Sequence, residues 1–451
     1  MTEGIHLVVL IHGMWGHPGN LAEAHSIFNE QRVQSAKKDS EGVQFRVLVA
    51  ETNRDESTYD GIDWGGERVA KEVFEEIDKV KEEGGQVTRF SVLGYSLGGL
   101  VARYLVGIMH QKRMFETIKP VNFNTIATPH IGLLQYPTLF SRLASRFGPT
   151  LLSRTGEQFF GVDKWSQRGR PLIEVMADPE RVFYQGLVLF EHIRIYANAI
   201  NDRTVPYITS VIEYDDPFVD YKATGLQVEL LEGYEPVIKS WTVPSEPPPP
   251  EPQPLPLSPA WFRSIRDQPL PLWLRRNYLQ KSLSYNLLII AILPVFFPTL
   301  IALGVTRLTL ASRRSRERIQ LLEKDDTPRL LSIVAELERE IEGFVLDTVE
   351  NAGASPLAAS PPLSSNESTE LQPHKQSADP VKPSKSAPRL SAMQIRIIAS
   401  LNAIPQLQKE RAWIADVHNS HATIVARDVA GFPFHELGRG LLRHWADNFV
   451  A

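Results

Sequence analysis

The sequence predicts an α/β fold with a mainly parallel central sheet, interrupted by a long membrane-associating and partly disordered insertion. Three observations lead there. Strand-length apolar runs alternate with helical-period stretches through the first half of the chain. Residues 91–100 read SVLGYSLGGL, a G-x-S-x-G pattern between an apolar run and an apolar helix. A proline-rich stretch, an uncharged run and a Ser/Pro-rich tract then separate this part from residues 391–451.

The elements follow in order. Ile5–Ile11 is a strand ending at His12-Gly13, and Gln44–Ala50 is a second. Ile62–Lys81 carries a helical period with its charges outward. Thr88–Leu93 is a strand and Leu97–Gly107 a buried helix, with Ser96 at the turn between them. Val121–Ala127 is a strand stopped by Thr128-Pro129-His130, and Ile193–Ala199 leads into Asn201-Asp202. In parallel sheets of this kind the ligand sits at the carboxyl ends of the strands, so Ser96, His12-Gly13-Met14 and Asp202 gather on one edge.

Composition narrows the chemistry. The chain has 451 residues, 43% hydrophobic content and a net charge of −5, with no global bias toward nucleic acid. It has no cysteine, which excludes a disulfide framework and a thiolate metal site. No cofactor or metal is expected. The opening MTEGIHLVVLIHG is too short and too acidic for a signal peptide, so the catalytic part is expected to face the cytosol.

A serine hydroxyl becomes a nucleophile only with a histidine to take its proton, a carboxylate to orient that histidine, and N–H donors for the oxyanion. Glycines around Ser96 would equally suit a tight turn without chemistry. Asp202, in YANAINDRTVPY, is the acid candidate because it follows a strand directly; an Asx turn would place it there too. Asp215 and Asp216 are runners-up in a polar loop. The base must follow in the chain. His192 precedes the acid, and His374 lies in the Ser/Pro tract. His421, at the head of ATIVAR, is favoured, with His418 as the alternative; His435 and His444 read as structural. The oxyanion donors would be the N–H groups of Met14 and Leu97, and His12 reads as a loop-fixing residue.

LVVLIHGMWGHPGN, FSVLGYSLGGLVARY, FNTIATPHIG, YANAINDRTVPY and HNSHATIVAR together resemble the serine-esterase family of fungal lipid-droplet phospholipases. The resemblance covers residues 5–210 and about 411–450. It implies an α/β-hydrolase acting on glycerophospholipid or related acyl esters, and it carries over to Ser96, Asp202 and a histidine near the C-terminus. Tyr95 departs from the histidine that often precedes the nucleophile in such lipases; that position tunes the surroundings and does not transfer the proton.

The domain reading is then a core at 1–243, a Pro-rich linker at 244–259, a membrane-associating insertion at 260–350, a disordered linker at 351–390 and a core-completing part at 391–451. Within the insertion, Leu287–Val305 is 19 residues without a charge, about 28 Å as a helix. Aromatic and arginine residues (Trp261, Phe262, Trp273, Arg275, Arg276, Tyr278) precede it and Arg307, Arg313, Arg314, Arg316 and Arg318 follow, as at a membrane interface. Arg329–Val349 reads as an amphipathic surface helix. Because the acid and nucleophile precede the uncharged run and the base follows it, a single crossing is not expected. The run is expected to bend near Pro294 and Pro298 or to lie shallowly in the interface. The expected partners are a phospholipid or glyceride substrate and a membrane or lipid-droplet surface. The alternatives are a neutral-glyceride lipase or other carboxylesterase, and a non-catalytic membrane-associated scaffold of the same fold.

Overall fold

The computed structural model describes residues 3–33, 43–166, 168–246, 248, 258, 283–324 and 388–451. Six strands form one parallel sheet in the order β2-β1-β3-β4-β5-β8. They are β1 (Glu3–Ile11), β2 (Gln44–Val49), β3 (Gly85–Tyr95), β4 (Lys119–Ile126), β5 (His192–Asn198) and β8 (Leu407–Ala412). Strand β1 shows why its sequence is uninterruptedly apolar. Leu7, Val9 and Ile11 enter the core on one face while Val8 and Leu10 enter the core on the other.

Helices α2 (Ile62–Glu82) and α3 (Leu97–Gln111) cover the first face with Val69, Val73, Leu100 and Leu105. Helices α1 (Ala22–Phe28) and α8 (Arg439–Asp447) cover the second with Phe28, Leu441 and Trp445. From β1 the chain goes outward to β2, then returns across β1 to β3. The strand order therefore reverses between β1 and β3, the position where parallel sheets bind ligands.

The C-terminal part completes this sheet. Helix α7 (Ala392–Asn402) starts at a capping box of Ser391 and Gln394 and buries Ile397, Ile398 and Leu401. Strand β8 then pairs with β5 from Ile193↔Leu407 to Asn198↔Ala412. Between β4 and β5 the chain builds a helical excursion that includes α4 (Leu139–Leu151) and α5 (Ser153–Phe159). Strands β6 (Gln227–Leu230) and β7 (Ile238–Thr242) form a separate antiparallel pair.

The uncharged run differs from the bent form expected. Residues 283–324 form one helix, α6 (Leu283–Lys324), that passes through Pro294 and Pro298 without a turn. Each proline removes one N–H and crowds the carbonyl four residues earlier, a cost of about 3 kcal/mol. The apolar residues on both sides nevertheless continue the helix. The arginines after the run are partly consumed by docking on the hydrolase. Arg318 meets the buried Asp60 at 2.8 Å, Arg314 meets Glu56 at 3.3 Å and Arg316 meets Glu157 at 3.7 Å. Ser312 donates to the Thr150 carbonyl at 2.7 Å, and Ser315 lies 3.2 Å from the Ser153 hydroxyl. Among the described residues, no helix is long and apolar enough to cross a membrane. The aromatic–arginine stretch, the amphipathic helix expected at 329–349 and most of both linkers, with His374, lie outside the described residues.

Candidate active site

Ser96 sits between β3 and α3 with φ 56° and ψ −124°, the geometry of the first central residue of a type II′ turn, where glycine is the usual occupant and a serine is strained. The glycines explain how the turn packs. A Cβ on Gly98 would strike the Ile11 carbonyl, and one on Gly13 would lie 2.8 Å from the Ser96 Cβ. The β1 loop and the elbow thus touch at the point where the strand order reverses.

His421 comes to Ser96 from 325 residues away. Its Nε2 is 3.1 Å from the Ser96 Oγ, and its Nδ1 is 3.0 Å from the Asp202 Oδ2. The Asp202 carboxylate is saturated. Oδ2 also accepts from the Asn198 amide at 2.8 Å, and Oδ1 accepts from the N–H groups of Thr204 at 3.0 Å and Val205 at 2.8 Å. Such a carboxylate is fixed in orientation as well as in position. Ser96 is 7% exposed and His421 8%, so the contacts operate largely out of water.

Two loops must be held together for this to persist. Asn201, with φ 64°, donates through its amide to the carbonyls of Ile414 and Ala415. Ser420 returns the tie, donating its N–H to the Asn201 carbonyl and its hydroxyl to Ile200. Tyr95 fixes the histidine itself. Its hydroxyl donates to the His421 carbonyl at 2.9 Å, and its ring lies 5.2 Å from the imidazole. Burial pushes the Tyr95 hydroxyl well above its usual range, which keeps it a donor. Nothing in the local sequence signals Tyr95, Asn198 or Ser420 in these roles, because every partner but Asp202 is remote in the chain. Asn201 alone carries a local signal, as an asparagine tolerant of φ > 0 at a strand end.

The N–H groups of Met14 and Leu97 have no acceptor among the described residues. Leu97 opens the 15-residue helix α3, whose dipole favours an anion there. His12 is buried, and its Nδ1–H donates to the Gly13 carbonyl at 3.1 Å. Burial lowers its basicity, so it stays neutral in the loop.

The remaining candidates lie elsewhere. His418 is exposed, with its Nε2 accepting from Arg203 at 2.8 Å, and it contacts neither Ser96 nor Asp202. His435 accepts from the Asp428 N–H, and His444 lies 3.1 Å from the Tyr196 hydroxyl. His192 begins β5. Asp215 is exposed and Asp216 accepts from the Phe218 N–H. Among the described residues, no group of three or more His, Asp or Glu side chains could hold a metal ion.

A parallel sheet with helices on both faces, a strained serine at the strand–helix elbow and an acid after a later strand define an α/β-hydrolase. Residues 1–212, just under half of the chain, match the family model described as "Putative serine esterase (DUF676)". "Putative lipase C4A8.10" of Schizosaccharomyces pombe is 32% identical over 217 residues, covering 47% of this chain and 26% of that protein. "Putative lipase ROG1" of Saccharomyces cerevisiae is 26% identical over 240 residues, covering 50% of this chain and 31% of that protein. The matched region thus spans about a quarter to a third of these curated relatives. Among solved structures, "Phospholipase PlaB from Legionella pneumophila" aligns with a TM-score of 0.26 at 13% identity, over 48% of this chain and 42% of that one.

Proposed function

We propose that this chain hydrolyses acyl esters of glycerophospholipids at a membrane or lipid-droplet surface, with Ser96 as nucleophile, His421 as base and Asp202 as the orienting acid. The observation that carries the reading is the continuous line Ser96 Oγ–His421 Nε2, His421 Nδ1–Asp202 Oδ2, at 3.1 and 3.0 Å. His421 Nε2 takes the hydroxyl proton as Oγ attacks the acyl carbonyl. The oxyanion is received by the Met14 and Leu97 N–H groups. His421 then returns the proton to the departing alkoxide, leaving an acyl-Ser96. A water deprotonated by the same nitrogen attacks that ester, and the serine is released with the free fatty acid. Asp202, with both oxygens occupied, holds the tautomer in which Nδ1 carries hydrogen.

Two apolar surfaces support the lipid part of the reading. On α4, Leu139 is 76% exposed, with Leu143 and Phe147 exposed above it at four-residue spacing and Arg142 and Arg146 beside them. On α6, which packs against α4, Val295, Phe296, Leu300, Ile301 and Leu303 are all exposed. Apolar side chains on every side of a helix, flanked by arginines, suit a lipid surface better than water.

Lipid-product profiling of the purified chain against its Ser96→Ala variant tests this. Lysophospholipid and fatty acid from the parent, with turnover reduced roughly 10³-fold or more in the variant, is expected. Products from glycerides alone would move the substrate to neutral lipid. No turnover and no labelling of Ser96 by a fluorophosphonate would leave the scaffold reading.

A further inference from the structure

A cavity opens on the acid side of the site. It has a volume of about 410 Å³ and is walled in part by Asp202, within the range of ligand pockets, about 300–1,000 Å³. The three-residue line of the site does not use it. Its lining is aromatic and charged: Tyr136, Tyr207, Tyr221, Phe218, Asp216 and Arg203.

The two charges are uncommitted. Among the described residues neither Asp216 nor Arg203 has an ion-pair partner; the Asp216 carboxylate accepts from the Phe218 N–H. Asp216 is half-buried, and burial raises its carboxyl to about 6. Its field also reaches the tyrosines: burial and then Asp216 push the Tyr136 hydroxyl up to about 12. Arg203 is exposed; its guanidinium donates to His418 Nε2 at 2.8 Å and its backbone N–H to Asn419 Oδ1 at 3.3 Å. Tyr207 and Phe218 meet edge to face at 5.2 Å, which holds those two rings rigid. Asn198, 1% exposed, is a further wall residue, and its Oδ1 has no donor while its amide nitrogen is tied to Asp202.

A carboxylate beside aromatic rings attracts an organic cation through charge and ring faces together. An unpaired arginine across the same pocket attracts a phosphate. We infer that this cavity receives a zwitterionic aminoalcohol-phosphate headgroup, with its ammonium at Asp216 beside Tyr136 and its phosphodiester at Arg203; the Tyr207 and Tyr221 rings, which already carry Arg411 at 6.0 Å and Lys222 at 5.7 Å, contribute wall. The assignment rests on the phospholipid reading above and adds the class of headgroup. Asp202 contributes wall and no ligand contact, since its oxygens are already taken. The headgroup then lies on the Asp202 side of the imidazole, and the scissile ester lies on the Ser96 side.

The test has a binding arm and a kinetic arm. Phosphorylethanolamine and phosphorylcholine are titrated into the full chain carrying Ser96→Ala, followed by saturation-transfer NMR, with glycerol 3-phosphate as the uncharged-alcohol control. In parallel, kcat/KM is measured on mixed micelles of phosphatidylethanolamine, phosphatidylcholine or phosphatidylglycerol. Asp216→Asn keeps the acceptor for the Phe218 N–H and removes only the charge. The expected result is saturation by the aminoalcohol phosphates over the control. The parent should also prefer zwitterionic lipid over phosphatidylglycerol, and that ratio should fall about tenfold in Asp216→Asn. Using a ratio cancels any loss of folded protein. Preference for ethanolamine alone assigns the contact to hydrogen bonding at Asp216; preference for both headgroups assigns it to charge and ring faces. Headgroup binding without phospholipid turnover would support the subsite and overturn the phospholipase reading. An unchanged ratio in the variant, or equal saturation by the control, would overturn the subsite whatever the activity.

Discussion

Replacing Asp202 by asparagine isolates the part of the site that sequence reasoning could name but not weigh. The side chain keeps its shape, and its oxygen can still accept from Thr204 and Val205, at 3.0 and 2.8 Å in the parent. Its new NH₂ then faces two groups that were donors, the Asn198 amide and His421 Nδ1–H. The conflict at His421 is relieved only if the imidazole moves its hydrogen to Nε2. That nitrogen can then no longer take the Ser96 proton. The expected loss in kcat is about 10⁴-fold, roughly 5.5 kcal/mol of barrier. Stability should fall less than activity, because the Thr204 and Val205 bonds to the remaining oxygen persist and only the two at the new NH₂, from Asn198 and His421, are disturbed. Asp202→Ala makes the contrast. It strands the partly buried Val205 and Asn198 donors, at about 1–3 kcal/mol for each donor left unpaired, while the exposed Thr204 N–H turns to water. The assay is turnover of a short-chain p-nitrophenyl ester beside thermal unfolding of both variants. A loss below tenfold in Asp202→Asn, in protein that melts like the parent, would refute the role of Asp202 in holding the tautomer.

His421→Ala should match Ser96→Ala in that assay, whereas His418→Ala should retain most of the activity; reversal of the two would move the base. Tyr95→Phe removes the single bond to the His421 carbonyl, worth about 1 kcal/mol, so kcat should fall a few-fold with KM unchanged, and an unaltered kcat would remove Tyr95 from the positioning of the base. Asp163 supplies a pH signature, since burial raises its carboxyl from 3.8 to about 6. The folded state therefore binds this proton more tightly than the unfolded state does. Its stability contribution is intact below about pH 4 and is lost as pH rises through 6. Asp163→Asn should consequently raise the melting temperature at pH 7, by an amount corresponding to no more than about 3 kcal/mol, and leave it unchanged at pH 3.5; equal shifts at both pH values would count against burial as the cause.

How far the sequence could be read follows from which signals are local. The strands of the core were legible because apolar runs such as LVVLI are buried on both faces, and the elbow because its glycines and serine are neighbours. Asp202 was legible because it follows β5 at once. Strand β8, LQKERA, was not read as a strand. It lies at the sheet edge, where charged side chains are tolerated and discourage further pairing. The choice of base among several histidines could be argued only from chain order, since the Tyr95, Asn201 and Ser420 contacts that place His421 connect distant segments. The expected bend at Pro294 and Pro298 applied a local rule correctly, but helix α6 continued because its flanks on both sides favour helix.

The unbroken course of α6 sharpens the question of topology. Its last turns are fixed on the hydrolase by Arg318 and Asp60 at 2.8 Å and by Ser312 and the Thr150 carbonyl at 2.7 Å. The apolar run precedes those turns, so it projects from a point already on the hydrolase side. Were the run to cross a bilayer, Leu283 would lie on the far side of about 30 Å of hydrocarbon. The chain before it would then have to cross as well, because β7 ends at Thr242 in the hydrolase. Residues 244–282 are a poor span: prolines crowd 244–259, and Arg263, Arg266, Asp267, Arg275, Arg276 and Lys281 break up the rest. The hydrogen bonds from His421 to Ser96 and Asp202 add that chain before and after α6 shares one compartment. We therefore predict that α6 lies in the plane of the interface, with its exposed Val295, Phe296, Leu300 and Ile301 immersed beside the apolar stripe of α4. Glycosylation acceptors placed near residues 255 and 335 in microsome-bound protein should both stay unmodified. Deleting 287–305 should release the protein from membranes or droplets, and Leu139→Asp/Leu143→Asp should weaken binding without altering turnover of a soluble ester. Modification at either acceptor would show a crossing and would separate the line Ser96–His421–Asp202 that the rest of the argument requires.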